Sequence, residues 1–407
     1  MSDSIVSVPE DHKQWSKMAS SLKAYSIYNS PYAFNSASKA TDPQFLLLRA
    51  IYKIKRQSEL DREEWFTKSS LKSASITLRR NKPWNRFLED IDSQDPAATR
   101  DLNPYDFRGG EIFAMVRYYQ IETTRPRCRT DFLHEKIQIP IDSPIAHRTR
   151  AATLAAGNPE PQTPTPAPRG KSYSIQELSK DFSHVDLGSD TEPSPQSLRY
   201  TNPLTPTSPI SAAEAKEMAE SINDEQIVNT ALILLLNALS MCSKKVKARW
   251  TLQRESLILG KKATPSEEAV KMFEARVDGI LQSRDHKVKA IVEVKPCLRE
   301  SKDTEIRMQE TAQMAAWICH HPPDTNEMRK KEEKARRLLI SQDACEIYLT
   351  FAEFDADYVD YVCGKLMETK SFLEMNEFGP FDTKHRGQMR ELGRLLLAFT
   401  IDESLKT

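Results

Sequence analysis

Apolar positions recur along this chain with two different periods, and one long stretch shows neither. In residues 224–241, Ile227, Ala231, Leu234, Leu235 and Ala238 fall three and four apart, the spacing of a helix with one face turned to a core. Residues 211–223 read as a further helical segment before it, and Asp224 stands where a cap for the second would be. Residues 250–258, 272–281 and 288–295 are short and apolar, with polar turns such as Ser283-Arg284-Asp285-His286 between them, which predicts three strands in an antiparallel meander. Residues 305–320 then read as a helix, 346–354 as a strand, and 388–399 as a last helix after the breaker Gly379-Pro380. The order is α-β-β-β-α-β-α, an α/β fold. Upstream, residues 44–55 and 60–73 have helical spacing, and 112–121 fits either strand or helix.

Between these two periodic regions, residues 151–211 hold ten of the 24 prolines and few apolar groups, too few to offset the entropy of ordering the chain. The expected organisation is a mobile Ser-rich N-terminus over 1–42, a separate α-rich module over 43–150, a Pro/Ser/Thr-rich linker over 151–211 and a C-terminal domain over 212–407. Ser-Pro and Thr-Pro steps at Thr163, Thr165, Ser194, Thr205 and Ser208 make the linker a candidate for control by kinases.

Composition narrows the function classes. Lys plus Arg and Asp plus Glu are 58 each, so attraction to nucleic acid or anionic membrane must be local. Six cysteines form no CxxC pair and no charged-then-apolar leader opens the chain, which points to an intracellular, reducing compartment. The longest apolar run, 230–241, is short of the roughly 20 residues a membrane span needs. With 11 glycines and no Gly-rich phosphate loop, NTPase and dinucleotide-binding functions lack support. Cys319-His320-His321 has no second ligand pair at zinc spacing, and no Ser-His-Asp arrangement stands out. Local basic stretches do exist. Lys244, Lys245, Lys247 and Arg249 form one, and Arg329, Lys330, Lys331, Lys334, Arg336 and Arg337 form another, interrupted by Glu332 and Glu333. In the N-terminal half, Arg79, Arg80 and Lys82 lie beside Trp84, and Arg125, Arg127 and Arg129 cluster again, as in a basic surface with an aromatic to stack on.

The residues that carry chemistry lie in Ala290-Ile291-Val292-Glu293-Val294-Lys295. Strand alternation puts Glu293 and Lys295 on one face, about 7 Å apart, with Val292 and Val294 on the other. Burying such charges costs several kcal/mol per ion unless each finds a partner or a metal. A second carboxylate, Asp278, sits among apolar neighbours in the preceding strand, and a hairpin between the two strands brings it near Glu293. Two carboxylates so placed repel each other unless a lysine or a hard cation such as Mg²⁺ neutralises them.

Asp278 followed by Glu293-Val294-Lys295 resembles the D…ExK signature of the PD-(D/E)XK nuclease superfamily, and is closest to the form seen in many fungal proteins of uncharacterised role. The helix Met308-Gln309-Glu310-Thr311-Ala312-Gln313-Met314-Ala315-Ala316-Trp317 resembles the Gln-plus-aromatic helix of RecB-like nucleases. The resemblance spans less than half of the chain, and Val277 stands where the superfamily often has proline. It implies a restriction-endonuclease-like core, α-β-β-β-α-β, with a mixed central sheet flanked by helices. It also implies Mg²⁺, or Mn²⁺, held by Asp278, Glu293 and the backbone carbonyl of Val294, with Lys295 orienting or helping to deprotonate the attacking water. Gln313, with Gln309 as its rival, would bond the water or the phosphate. Glu225 is the candidate for the acidic residue of the first helix. The implied activity is metal-dependent hydrolysis of nucleic acid, with DNA the favoured substrate, Lys244, Lys245, Lys247 and Arg249 as contacts to it, and the nucleus as location. A chain that kept the fold and lost cleavage would instead be a nucleic-acid-binding or interaction module.

Overall fold

The computed structural model describes residues 7–22, 26–93, 107, 110–124, 212–261 and 270–406. The N-terminal part contributes α1 (His12–Met18), α2 (Asp42–Leu47), β1 (Ala50–Lys55), α3 (Arg62–Trp65), α4 (Lys68–Arg80), α5 (Lys82–Ser93) and α6 (Glu111–Glu122). The C-terminal part begins with α7 (Ala212–Met241) and continues through β2 (Arg249–Thr251), β3 (Ser256–Lys261), β4 (Val270–Arg276), β5 (Gly279–Gln282) and β6 (Val288–Lys295). It ends with α8 (Asp303–His320), α9 (Thr325–Lys331), β7 (Ala335–Asp343), β8 (Glu346–Phe354), α10 (Ala356–Val362), β9 (Leu373–Asp382) and α11 (Arg386–Leu405).

Seven strands form one mixed sheet in the order β1-β9-β8-β7-β6-β5-β2, and β3 and β4 pair separately. β5 and β6 are antiparallel, whereas β6 and β7, joined through α8, are parallel. Alternation along β6 assigns its faces as the sequence predicts. Val292 and Val294 enter an apolar layer under α4, α5, α7 and α11, and Ile291 enters the opposite layer under α2, α8 and α10. The protein is thus a mixed α/β structure whose sheet is flanked by helices. No helix of the described residues is long and apolar enough to cross a membrane.

The N-terminal residues do not form a separate module, contrary to the sequence expectation. Described residues on both sides of the central stretch fall in one compact unit. Residues 50–55, expected to be helical, form an edge strand parallel to β9, with Ala50 opposite Leu373 and Lys55 opposite Phe378. Asp402 of α11 accepts hydrogen bonds from Thr67 Oγ1 at 2.7 Å and Ser70 Oγ at 2.5 Å, tying down the start of α4. At Gly393 of α11 an added Cβ would lie 2.5 Å from the Trp84 ring, so the absence of a side chain there lets α5 pack close. Trp84 is therefore a core residue and not a free stacking platform. The cluster at Arg125 and the span 151–211 lie outside the described residues.

Other elements differ from the sequence reading in informative ways. Residues 212–241 form one continuous helix, so Asp224 caps nothing. The expected strand at 272–281 breaks at Val277-Asp278, which sends β4 to pair with β3 and β5 to pair with β2 and β6. Residues 250–258 likewise divide between β2 and β3. Gly379-Pro380 lies inside β9, where an added Cβ at Gly379 would meet Tyr348 Cδ1 at 2.4 Å, and the glycine makes room for that ring.

Candidate active site

The break before β5 is what exposes Asp278 to its neighbours. An added Cβ at Gly279 would lie 2.7 Å from the Thr251 carbonyl oxygen and 3.0 Å from Ile233 Cδ1, so only glycine lets β5 fit this closely between β2 and α7. Gly279 pairs with Val292, and extending that register by one residue sets Asp278 opposite Glu293. The Asp278 N–H donates to the Val292 carbonyl at 2.9 Å, and the Val294 N–H donates to Asp278 Oδ2 at 3.1 Å. From α7, Asn229 Nδ2 donates to the Asp278 carbonyl at 3.0 Å. The Arg254 guanidinium, in the loop between β2 and β3, stands 3.4 Å from Asp278 Oδ1 and 3.9 Å from Glu225 Oε1.

Glu293 is 3% exposed and receives three donors. Lys295 Nζ lies 2.5 Å from Oε1, which also accepts from Gln309 Nε2, and Gln313 Nε2 lies 2.5 Å from Oε2. Gln313 also donates to the Arg276 carbonyl at 2.9 Å and is fully buried, so it positions Glu293 and does not reach solvent. Gln309, one turn earlier on α8, is only half-buried and is the better placed of the two to meet a water or a phosphate.

Three carboxylates (Asp278, Glu293 and Glu225) thus share a region with two cations, Lys295 and Arg254. Burial, opposed by Lys295 and reinforced by Asp278, pushes Glu293 up to about 7. Burial and then the charge of Glu225 raise Asp278, and burial raises Glu225. Burial pulls Lys295 down, but the attraction of Glu293, Glu225 and Asp278 outweighs it and the ammonium stays protonated. The proton of the pair resides on Lys295, and Glu293 is the group that titrates near neutrality.

An excess of negative charge over positive in a buried region favours a cation. Two enclosed oxygens, Gln313 Oε1 and Asn229 Oδ1, have no hydrogen-bond donor, and each belongs to a side chain that already holds Glu293 or the Asp278 backbone. Carboxylate and amide oxygens are the donors that Mg²⁺ and Mn²⁺ prefer, so the residue types fit such an ion. Among the described residues, no three His, Cys, Asp or Glu side chains are gathered closely enough to hold a metal by themselves. A cation here would need backbone or amide oxygens beside the carboxylates.

The basic residues fare differently. Lys244, Lys245, Lys247 and Arg249 are exposed but follow the C-terminus of α7, about 24 Å along the helix from Glu225 at 1.5 Å per residue. Lys245 bonds Ser73 Oγ at 3.1 Å, and Arg249 bonds Gln282 Oε1 at 2.9 Å across the β2–β5 ladder. They do not flank the carboxylates. In the second basic stretch, Arg329 pairs with Asp357 and Asp360, Lys334 with Glu374 and Arg336 with Glu353, all within 2.8 Å.

Sequence reasoning missed Arg254 and Asn229. Asn229 carried a usable signal, since it lies one turn after Glu225 on the same face of α7. Arg254 carried none, in a polar loop where charge is ordinary. A larger omission is the buried cluster beside the site. Arg299 is held by Glu310 at 2.5 Å, Asp343 at 2.6 Å and Glu377 at 2.7 Å, and Arg307 joins Glu377 at 2.9 Å. Asp343 pairs with Lys295 in the β6–β7 ladder, so this cluster anchors the strand end that carries the ammonium. Comparison of the chain with protein-family models, with curated proteins and with solved structures found no match.

Proposed function

We propose that this chain is a metal-dependent nuclease that hydrolyses phosphodiester bonds of nucleic acid, with DNA as substrate, on a restriction-endonuclease-like core. The observation that carries this reading is the placement of Asp278 opposite Glu293, with Lys295 on the same face and Gln309 and Gln313 reaching Glu293 from α8. The run α7, β5, β6, α8, β7, with β6 and β7 parallel, agrees with the core the signature implies.

Asp278 and Glu293 would hold the cation together with the Val294 carbonyl, and Glu225 would add negative charge from α7. When bound, a divalent cation lowers the pKa of an attacking water and offsets charge building on the phosphate. Lys295, protonated at neutral pH, orients the nucleophile and attracts the phosphate; in that form it is not a base. Gln313 fixes the Glu293 carboxylate, and Gln309 is free to exchange its bond to Glu293 for one to water. Arg254 bridges Asp278 and Glu225 and would move toward a phosphate once a cation takes over their charge.

One observation favours a second reading. The three donors on Glu293 and the guanidinium at Asp278 already neutralise much of the site, as in a protein that keeps the fold, binds nucleic acid and does not cut. Calorimetric titration of Mg²⁺ and Mn²⁺ into the full chain separates the two. A nuclease binds the metal, loses it in Asp278→Asn and keeps it in Lys295→Ala. Absence of binding in the wild type favours the second reading.

A further inference from the structure

At the opposite end of β6 and β7 from Glu293 and Lys295, the strands' first residues help wall a cavity of about 530 Å³. That volume lies within the roughly 300–1,000 Å³ of small-molecule sites. Phe351, Phe399 and Leu338 supply its apolar surface. Its acidic residues already have partners: Glu63 pairs with Lys68 at 2.8 Å, Glu403 with Lys406 at 2.6 Å, and Asp402 holds Thr67 and Ser70. Arg336 is bound to Glu353 at 2.8 Å.

Three donors in the same wall have nothing to donate to. Arg337 Nη1, Trp317 Nε1 and Trp65 Nε1 are each enclosed and without a hydrogen-bond partner. The Arg337 guanidinium lies 4.4 Å over the Trp317 ring, and its other amino group donates to the His321 carbonyl. It has no carboxylate partner among the described residues. Buried donors left unpaired are expensive, and a buried guanidinium without a counter-ion more so. The wall offers a positive charge and indole N–H groups beside apolar surface, which is the complement of an acceptor-rich anion on an apolar body.

We propose that this cavity binds a small organic oxyanion, a carboxylate or a phosphate monoester, with Arg337 meeting the anion and the apolar wall taking the rest of the ligand. The site is separate from the carboxylates at the other end of β6 and does not depend on the nuclease reading. The test uses the full chain, with intrinsic tryptophan fluorescence and calorimetry reading the binding of benzoate and phenyl phosphate, and benzyl alcohol as the neutral analogue. Saturable binding of at least one anion, with benzyl alcohol much weaker, is expected, and the preferred anion tells carboxylate from phosphate. Arg337→Met should weaken that binding about tenfold or more. Because Arg337 has no carboxylate to orphan, this variant should keep the wild-type melting temperature. Should it nevertheless fail to fold, Trp65→Phe, which keeps a ring and removes the N–H, must weaken binding several-fold. No saturable binding of either anion, equal binding of benzyl alcohol, or undiminished binding by the folded variants would overturn the proposal.

Discussion

Replacing Arg299 by methionine removes the single cation that holds Glu310 and Asp343, both of which are 0% exposed. Arg307 stays with Glu377 but takes part in no ion pair with the other two carboxylates among the described residues. Breaking a buried pair costs about 3–5 kcal/mol, because the charge left behind has neither water nor a partner. Two carboxylates lose their partner here, so the upper part of that range applies near pH 8. Protonation provides an escape. Burial already holds Glu310 near 7 and raises Asp343, even with Arg299 opposing it in both cases. Without the arginine both rise further. A group whose folded pKa lies above its unfolded value binds more protons in the folded state, so the variant's stability is greatest in acid and falls as pH rises through the folded pKa. The deficit of Arg299→Met against wild type should therefore shrink markedly between about pH 8 and about pH 5.5. Urea unfolding of both proteins at the two pH values measures it. A deficit under about 1 kcal/mol at both, or one that grows on acidification, would refute the assignment of Arg299 as the cluster's counter-charge.

Glu293 makes a similar prediction for the wild type. Its pKa of about 7, against an ordinary value of 4.5, stabilises the fold fully below the latter and loses that contribution as pH rises through 7, by up to about 3 kcal/mol. Glu293→Gln should flatten that part of the stability profile, and an unchanged profile would remove Glu293 as its source. Gly279→Ala must push Cβ against the Thr251 carbonyl and Ile233, costing about 1–3 kcal/mol in melts and displacing the adjacent Asp278. A variant as stable as wild type would mean that β5 can shift. Expressed alone, residues 212–407 lack the β1 edge of the sheet and the packing of Trp84 on Gly393, so they should be insoluble or molten until residues 1–126 are supplied in trans. A cooperative melt of the fragment by itself would contradict the single-unit fold.

What was legible in the sequence was local. β6 announced itself because two charges interrupt a short apolar run at period two, and the face assignment follows from alternation alone. Asp278 was legible for the same reason, although the break beside it was not, since it is set by the close approach of Gly279 to Thr251. Three strands of the sheet escaped notice. In β7, Leu338-Leu339-Ile340 is buried on both faces, and a continuous apolar run after a basic stretch has no period to read. β9 was hidden by Gly379-Pro380, ordinarily a breaker. β1 looked helical, and its partner lies more than 300 residues away in the chain. Helical spacing competes poorly with a pairing partner that local pattern cannot display. The Arg299 cluster draws on β7, α8 and β9 together, so no window of sequence contains it. The basic residues at 244–249 are a failure of another kind, because their composition suited nucleic acid while a long helix carried them away from the carboxylates.

The measurement closest to the central claim is cleavage of linear, circular and single-stranded DNA by the purified full chain, run with Mg²⁺, with Mn²⁺ and with a chelator. The account predicts metal-dependent cutting that the chelator abolishes, that Asp278→Asn, Glu293→Gln and Lys295→Ala each eliminate, and that Lys244→Glu leaves largely intact because its loop stands apart from the carboxylates. Asp278→Asn should melt at or above the wild-type temperature without metal, since it removes one of three mutually repelling carboxylates. A folded wild type that cuts none of these substrates with either metal, together with an Asp278→Asn variant that is severely destabilised, would contradict it and leave the cluster as a structural ion network.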